Sequence, residues 1–414
     1  MQPVVVQKYG GSSLGGRAEL DGVADAVAAR HRADGPLVVV VSARGKATDE
    51  LLALAEGTGG TRTERETDQL LATGECASAA LIAMALRRRG VPAASLNAWQ
   101  AGIRASGKHG EGVLTSIDTG RIRHLLGAGT TAVVAGFQGV DEHGDLLTLG
   151  RGGSDTTAVA LAAELGAARC EIYTDVDGIS TADPRVVPEA QVLPAIDVSV
   201  MTEMAFAGAR VMHSRAVELA ATQGIDLYVR RSPSPHGGTV IRRHEDPDAL
   251  ETRGVVVGVT HDAETSRVLI HAMGGRRDLA ADVLGILADN SMSVDLVARS
   301  GPHEQEFRMG FTVRRDDLRE VRPALERHVA ELGGRVHVDT HVGKLSLIGM
   351  GLLNRPEYTA RLLSTLSGAG IWTSWISTSQ LRTSVVVPLD RLYEAVALLH
   401  GEFGLEHPGA TQPA

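Results

Sequence analysis

Val4-Val5-Val6-Gln7-Lys8-Tyr9-Gly10-Gly11-Ser12-Ser13 opens the chain with a β-branched run, a lysine and a pair of glycines. Val4 to Val6 has no polar alternation, the pattern of a strand covered on both faces. The glycine pair ends that strand, and a helical stretch from Ala18 to Arg32 follows. At such a strand–turn–helix junction, backbone N–H groups can approach phosphate oxygens, and Lys8 adds a point charge beside a phosphoryl group in transit. Taken alone the pair is only a turn; its weight comes from what lies downstream.

Outward from this unit the alternation continues. Leu37 to Val41 and Ala132 to Ala135, before Gly136, read as strands, and Asp68 to Arg88 as a helix. A helix over Asp155 to Leu165, capped by Ser154-Asp155, leads into the strand Cys170 to Tyr173. The pattern predicts the α/β class, with a mainly parallel sheet and helices on both faces. It breaks at Arg231-Ser232-Pro233-Ser234-Pro235-His236-Gly237-Gly238, and the polar Arg242 to Pro247 marks a domain boundary. Beyond it lies a weak repeat: Arg267 to Gly274 resembles Lys344 to Gly351 at a shift of 77 residues, and Asp282 to Ser300 matches Arg361 to Ser379 at a shift of 79. Each copy reads as strand, glycine loop, helix, strand and further strand, hence two small α+β modules suited to binding small ligands or joining subunits.

Composition narrows the function. The 414 residues carry 50 acidic and 41 basic side chains, a net charge of −9, which argues against binding nucleic acid through overall charge. Glycine is frequent at 48 residues and aromatics are scarce at 3%, favouring tight turns around a polar ligand over stacking platforms. Two cysteines, Cys76 and Cys170, make neither a disulfide framework nor a four-ligand zinc site and fit a reducing compartment. With no signal-like N-terminus and no run of about 18 apolar residues, a cytoplasmic enzyme without a membrane span is expected.

Two motifs are decoys. Gly102-Ile103-Arg104-Ala105-Ser106-Gly107-Lys108-His109 nearly meets the P-loop pattern, but His109 stands where Ser or Thr is needed, and the stretch reads as a surface loop. Gly150-Arg151-Gly152 begins like a dinucleotide fingerprint, yet Asp155 occupies the third glycine position. Instead, Leu149 to Thr157 is a second glycine-rich turn opening a helix, where Arg151 is suited to a two-bond grip on a carboxylate. A third loop, Tyr173 to Arg185, offers Asp175, Asp177, Asp183 and Arg185 for ribose or metal-bound phosphate. Glu75 is alone in the apolar stretch Leu70 to Leu86. A buried carboxylate needs a cation, either a substrate ammonium or a protein arginine.

These residues resemble the aspartate kinases, members of the amino-acid kinase superfamily with a C-terminal pair of ACT modules. The resemblance covers nearly all of residues 3 to 406. It rests on Lys8 to Ser13, Val41-Ser42-Ala43, Thr73-Gly74-Glu75, Gly150 to Asp155, Thr174-Asp175-Val176-Asp177-Gly178, Thr181-Ala182-Asp183-Pro184-Arg185 and Ile376-Ser377-Thr378-Ser379. It implies a carbamate kinase-like αβα sandwich over residues 1–245 and two ferredoxin-like ACT domains. One covers 263–340, the other 253–262 with 341–406, and a flexible tail covers 407–414. It implies phosphorylation of the aspartate β-carboxylate by ATP, with Mg2+ carried by the nucleotide and no protein-bound metal.

The implied roles follow residue by residue. Lys8 offsets charge on the transferred group, with Gly10, Gly11, Ser12 and Ser42 about the phosphates. Thr48, Glu75, Arg151, Gly152, Gly153 and Ser154 hold aspartate, Glu75 taking the ammonium and Arg151 the α-carboxylate. Ser154 and Asp155 order the site, and Thr174, Asp175, Asp183 and Arg185 face the nucleotide. Arg210, in Gly208-Ala209-Arg210-Val211-Met212-His213, stands where the family usually has lysine, keeping the charge but changing reach and geometry. A carboxylate nucleophile needs no general base at neutral pH.

Assembly is implied as a homo-oligomer through the ACT modules, or as a heterotetramer with a regulatory chain made from an internal start. Lysine and threonine are expected to act weakly. Gly275-Arg276-Arg277-Asp278 replaces the family's Asp-x-Pro-Gly, Arg299 replaces glutamine, Pro356-Glu357 replaces Pro-Gly, Trp372 replaces asparagine and Gln380 replaces glutamate. Other readings are an amino-acid sensor that kept the fold, which intact Lys8, Glu75, Arg151 and Asp155 oppose, or a kinase for another acid. An N-acetylated substrate has no ammonium for Glu75.

Overall fold

Val5–Tyr9 is the central strand β1 in the computed structural model, which describes residues 4–61, 63–234, 236–243, 255–273, 279–290, 292–300 and 306–407. In chain order there follow α1 (Arg17–Asp34), β2 (Val38–Val41), α2 (Ala47–Gly57), α3 (Arg65–Arg88), β3 (Ala93–Leu96), β4 (Ile103–Ser106), β5 (Val113–Ile117) and α4 (Gly120–Gly127). Next come β6 (Thr131–Ala135), β7 (Gln138–Val140), β8 (Leu146–Thr148), α5 (Gly153–Leu165), β9 (Arg169–Thr174), β10 (Ala195–Asp197), α6 (Val198–Phe206), α7 (Ser214–Gln223), β11 (Leu227–Arg231) and β12 (Thr239–Arg242). The chain divides into an N-terminal unit, Met1–Ile179, Val192–Phe206 and Arg210–Asp248, and a C-terminal unit, Ser180–Gln191, Ala207–Ala209 and Ala249–Ala414.

The N-terminal unit holds an eight-stranded sheet in the order β10-β12-β11-β9-β1-β2-β6-β3, parallel except where β12 runs against β11. From β1 the chain passes to β2, then to β3 at the sheet edge and back to β6 between them, and crosses to β9 on the other side of β1. In open α/β sheets, ligands collect at the carboxyl ends of strands beside such a reversal. Strand alternation sorts the side chains: Val5, Gln7 and Tyr9 lie on one face of β1, Val6 and Lys8 on the other. Tyr9 packs with Leu20, Val23 and Val27 of α1 and with Ile82 and Leu86 of α3. Lys8 therefore points to the opposite face, which α5 covers.

Helix α3 is long and apolar enough, by length and composition, to cross a membrane, but half of that window is buried in the protein. Its buried residues include Asp68 and Glu75, so it is a core helix. The stretch read as a surface loop is in fact strand β4 over Ile103–Ser106, within a small sheet ordered β5-β4-β7-β8.

The C-terminal unit continues through β13 (Val255–Asp262), β14 (Thr265–Met273), α8 (Leu279–Asp289), β15 (Val294–Ser300), β16 (Glu306–Arg314), α9 (Arg315–Glu331) and β17 (Arg335–Asp339). Then come β18 (Val342–Met350), α10 (Pro356–Gly368), β19 (Trp375–Thr378), β20 (Arg382–Pro388) and α11 (Leu392–Glu402). Two antiparallel four-stranded sheets form, β15-β16-β14-β17 and β13-β18-β20-β19, so the repeat is physical and β13 pairs with the second copy. Residues 180–191 group with this unit. Ala182 and Val187 join a core with Leu345, Leu347, Val385 and Leu399, Thr181 Oγ1 lies 2.9 Å from His400 Nε2, and Val259 N–H donates to Thr181 O.

Candidate active site

The loops that follow β1, β2 and β6 are stitched together by their backbones. Gly10 N–H donates to Tyr173 O at 3.2 Å, Ser42 N–H to Tyr9 O at 3.1 Å and Gly136 N–H to Val41 O at 3.0 Å. A Cβ on Gly11 would come within 2.6 Å of Ala43 O, so only glycine lets the first turn lie this close to the loop after β2. Ser12 is exposed at the turn and Ser13 is buried.

Lys8 reaches Asp155 in the first turn of α5, with Nζ 2.6 Å from Oδ1 and the lysine side chain only 12% exposed. Opposite charges this close and this dry hold each other in place. Ser154 and Asp155 are buried where α5 begins, Ser154 against the spot a Cβ on Gly136 would occupy.

Glu75 comes from α3. Its Oε1 accepts the Ala43 N–H at 3.1 Å, while Oε2 is buried with no hydrogen-bond partner among the described residues. Gly74 makes this possible, because a Cβ there would stand 2.9 Å from Ala43 Cβ and push the loop off the helix. Burial pushes the Glu75 carboxyl up to about 7, against the lowering pull of the Ala43 N–H. No arginine answers it among the described contacts. An orphaned, half-ionised carboxylate oxygen is an acceptor ready for the N–H donors of an incoming ammonium.

Arg151 is exposed, on the turn Gly150-Arg151-Gly152 before α5. Thr48 is half-buried in the first turn of α2. Thr174 ends β9, with its hydroxyl on Asp175 at 3.0 Å. Both line a cavity of ≈ 380 Å³ with Ser12, Ser13, Glu19, Arg231 and Pro233. Glu19, Arg231 and Pro233 escaped the sequence reading, though Arg231 and Pro233 lie in the segment where the pattern broke. Arg210 is exposed in the N-terminal unit. Asp183 and Arg185 belong to the C-terminal unit, where the guanidinium pairs with the carboxylate at 2.6 Å and holds it below the usual carboxylate range. The structure thus brings Lys8, Gly10, Gly11, Ser42, Glu75 and Asp155 together through β1, β2, α3 and α5, and groups Asp183 and Arg185 with the other unit. Among the described residues no three His, Cys, Asp or Glu are placed to hold a metal ion.

The amino acid kinase family model matches residues 3–231 and an ACT domain model matches 345–403. An aspartokinase of Bacillus sp. (strain MGA3) is 40% identical over 403 residues, covering 97% of both chains. One from Mycolicibacterium smegmatis is 41% identical over 406 residues, covering 97% of this chain and 96% of its own. Among solved structures, E. coli aspartokinase III in complex with aspartate and ADP has a TM-score of 0.79 at 24% identity, covering 97% of this chain and all of its own, a likeness of fold. The aspartate kinase of Synechocystis is 38% identical, with a TM-score of 0.54, over 99% of this chain and 70% of its own.

Proposed function

Because the chain belongs to the amino acid kinase family and, within it, to the aspartokinases, we propose that it transfers the γ-phosphoryl group of ATP to the β-carboxylate of L-aspartate. The observation that carries the choice of acceptor is Glu75, a buried carboxylate with one oxygen left for an ammonium. A β-carboxylate oxygen of aspartate attacks the γ-phosphorus, the bond to the β–γ bridging oxygen breaks, and 4-phospho-L-aspartate and ADP leave. No proton moves, because the carboxylate is ionised at neutral pH.

Two anions must meet in line, so the protein's part is positioning and charge neutralisation. Lys8, held by Asp155, faces the phosphoryl group in transit, and the turn offers the Gly11 and Ser12 N–H groups, with the Ser12 and Ser42 hydroxyls, to phosphate oxygens, the Gly10 and Ser42 N–H groups being spent on Tyr173 O and Tyr9 O. Magnesium, arriving with the nucleotide, neutralises phosphate charge. Thr174 and Asp175 line the nucleotide cavity, with Arg210, in the same unit, as a further nucleotide contact. Thr48, Glu75 and Arg151, with Gly152, Gly153 and Ser154, take the acceptor. We read 1–245 as the kinase domain and 263–340, and 253–262 with 341–406, as two ACT domains. The two free cysteines support a cytoplasmic location. Strand β19 ends its sheet with Ile376 exposed, an edge suited to self-association or to a separate regulatory chain. Incubation with ATP, aspartate and hydroxylamine tests the reaction: aspartyl hydroxamate is expected, and ATP consumption without it refutes the reading.

Arg151→Lys is expected to raise the KM for aspartate about tenfold and the KM for ATP little, since one ammonium cannot reproduce a two-bond grip on a carboxylate. Initial rates against each substrate decide this; equal rises make Arg151 an organiser of the whole loop.

Lysine and threonine are expected to inhibit weakly. Trp372, 68% exposed, stands where the family has asparagine, and an indole there would compete with a ligand for volume. Arg299, whose guanidinium lies 5.3 Å from the Phe307 ring, adds a cation where the family has glutamine, and a cation would repel ammonium ligands. Gly275 to Asp278 lies outside the described residues. Calorimetry and inhibition curves at millimolar lysine plus threonine are the check, and saturable binding with strong inhibition overturns the expectation.

A further inference from the structure

Just before the turn that carries Arg151, the loop after β4 meets the end of β8: Gly112 N–H donates to Thr148 O at 2.8 Å. Backbone groups at a buried seam need partners. From α3, Asp68, fully buried and two turns before Glu75, takes the N–H side. Its oxygens accept Gly110 N–H at 3.0 and 3.1 Å, Thr148 N–H at 2.9 Å and the Thr148 hydroxyl at 2.5 Å, and His109 Nδ1 lies 3.1 Å away. From α7, Arg215 takes the carbonyl side, donating to Leu149 O and to Gly112 O, each at 2.9 Å. Its guanidinium has no carboxylate partner among the described residues, so its charge is matched by carbonyl dipoles alone.

A carboxylate and a guanidinium thus grip the same two strands of backbone, one by its donors and the other by its acceptors. The chain leaves that grip at Leu149 and makes its turn within four residues. Gly150 and Gly152 have φ of +70° and +69°, Gly153 N–H closes on Gly150 O at 3.1 Å, and a Cβ on Gly152 would meet His213 Cβ at 2.2 Å. His213 caps α7 by accepting the Arg215 N–H at 3.4 Å. Among the described residues Arg151 makes no hydrogen bond or ion pair, so where its guanidinium stands follows from where residues 149 and 152 are held.

We infer that Asp68 and Arg215 are positioning residues for the acceptor amino acid: they fix the 149–153 turn and, through it, aim Arg151 at the α-carboxylate. The inference rests on the reading of Arg151 as that carboxylate's partner.

The test is a double-mutant cycle on the full-length enzyme with aspartate and ATP as probes. Arg215→Met is expected to raise the aspartate KM at least about tenfold while the ATP KM stays within about twofold, and Arg215→Lys, which keeps one carbonyl bond, to fall between. In an Arg151→Lys background the same Arg215→Met change is expected to cost under about threefold, because a grip already lost cannot be misaimed further. Effects that multiply, or equal losses for both substrates, overturn the inference. Should Arg215→Met not fold, Asp68→Asn, which keeps shape and removes charge, takes its place in the same cycle with the same two outcomes. If the unmodified enzyme makes no hydroxamate from aspartate, the proposed reaction fails first, a different result from an unmodified enzyme that works and a cycle that multiplies.

Discussion

Turnover of the Lys8→Ala enzyme is expected to fall about 10²–10³-fold, about 3–4 kcal/mol of transition-state stabilisation, the loss seen when one preorganised electrostatic group is removed. The reason is geometric. Alternation along β1 turns Lys8 away from the Tyr9 core and toward α5, where Asp155 fixes its ammonium at 2.6 Å. A cation placed before the substrate arrives needs no reorganisation when charge develops on the phosphoryl oxygens. Truncation also strips Asp155 of its cation, so a melting curve must accompany the rates to show that the protein remains folded. A folded Lys8→Ala enzyme with near-normal kcat would sink the assignment.

Glu75→Gln is expected to raise the KM for aspartate ten- to hundredfold, the about 1.5–3 kcal/mol of a hydrogen bond to a charged group. The more telling readout is pH. With the carboxyl at about 7 in the free enzyme, kcat/KM for aspartate should climb about tenfold per pH unit below 7 and level off above it. The limb should be weaker in kcat, since bound ammonium holds the carboxylate ionised. Stability runs the other way. The folded protein keeps this proton between the ordinary value of 4.5 and about 7 while the unfolded chain releases it, so the Glu75 contribution to stability falls as pH rises through that window. Glu75→Gln should flatten both slopes, and a variant that keeps the kinetic limb places the titrating group elsewhere.

What the sequence made legible was local. The valine run before Gly10-Gly11, the apolar period of α3 and the glycine turn before α5 all announce themselves over a dozen residues, and Glu75 stands out as a lone carboxylate among apolar neighbours. Helix α2 was missed because only Ala55 on it is buried, leaving little periodicity to read. Strands β4, β5, β7 and β8 were missed because none exceeds five residues, and β5 is mostly exposed. Asp68 looked like an ordinary acidic start to a helix, yet its partners lie 42 and 80 residues away. Arg215 was unreadable for a different reason: it binds carbonyl oxygens, which every residue has.

The grouping of Ser180–Gln191 with the C-terminal unit has a consequence for any attempt to divide the protein. The chain leaves the N-terminal unit after Ile179, comes back at Val192, departs again for Ala207–Ala209 and returns at Arg210 before its last passage. A single proteolytic nick at 244–254 therefore cannot liberate an intact C-terminal body. The released piece would lack Ala182 and Val187 from its core, the Thr181 partner of His400 and the carbonyl that receives the Val259 N–H. Each buried group left without its partner costs about 1–3 kcal/mol. A regulatory polypeptide translated from an internal start would begin life with the same gap and would have to fill it with its own rearrangement or with another chain.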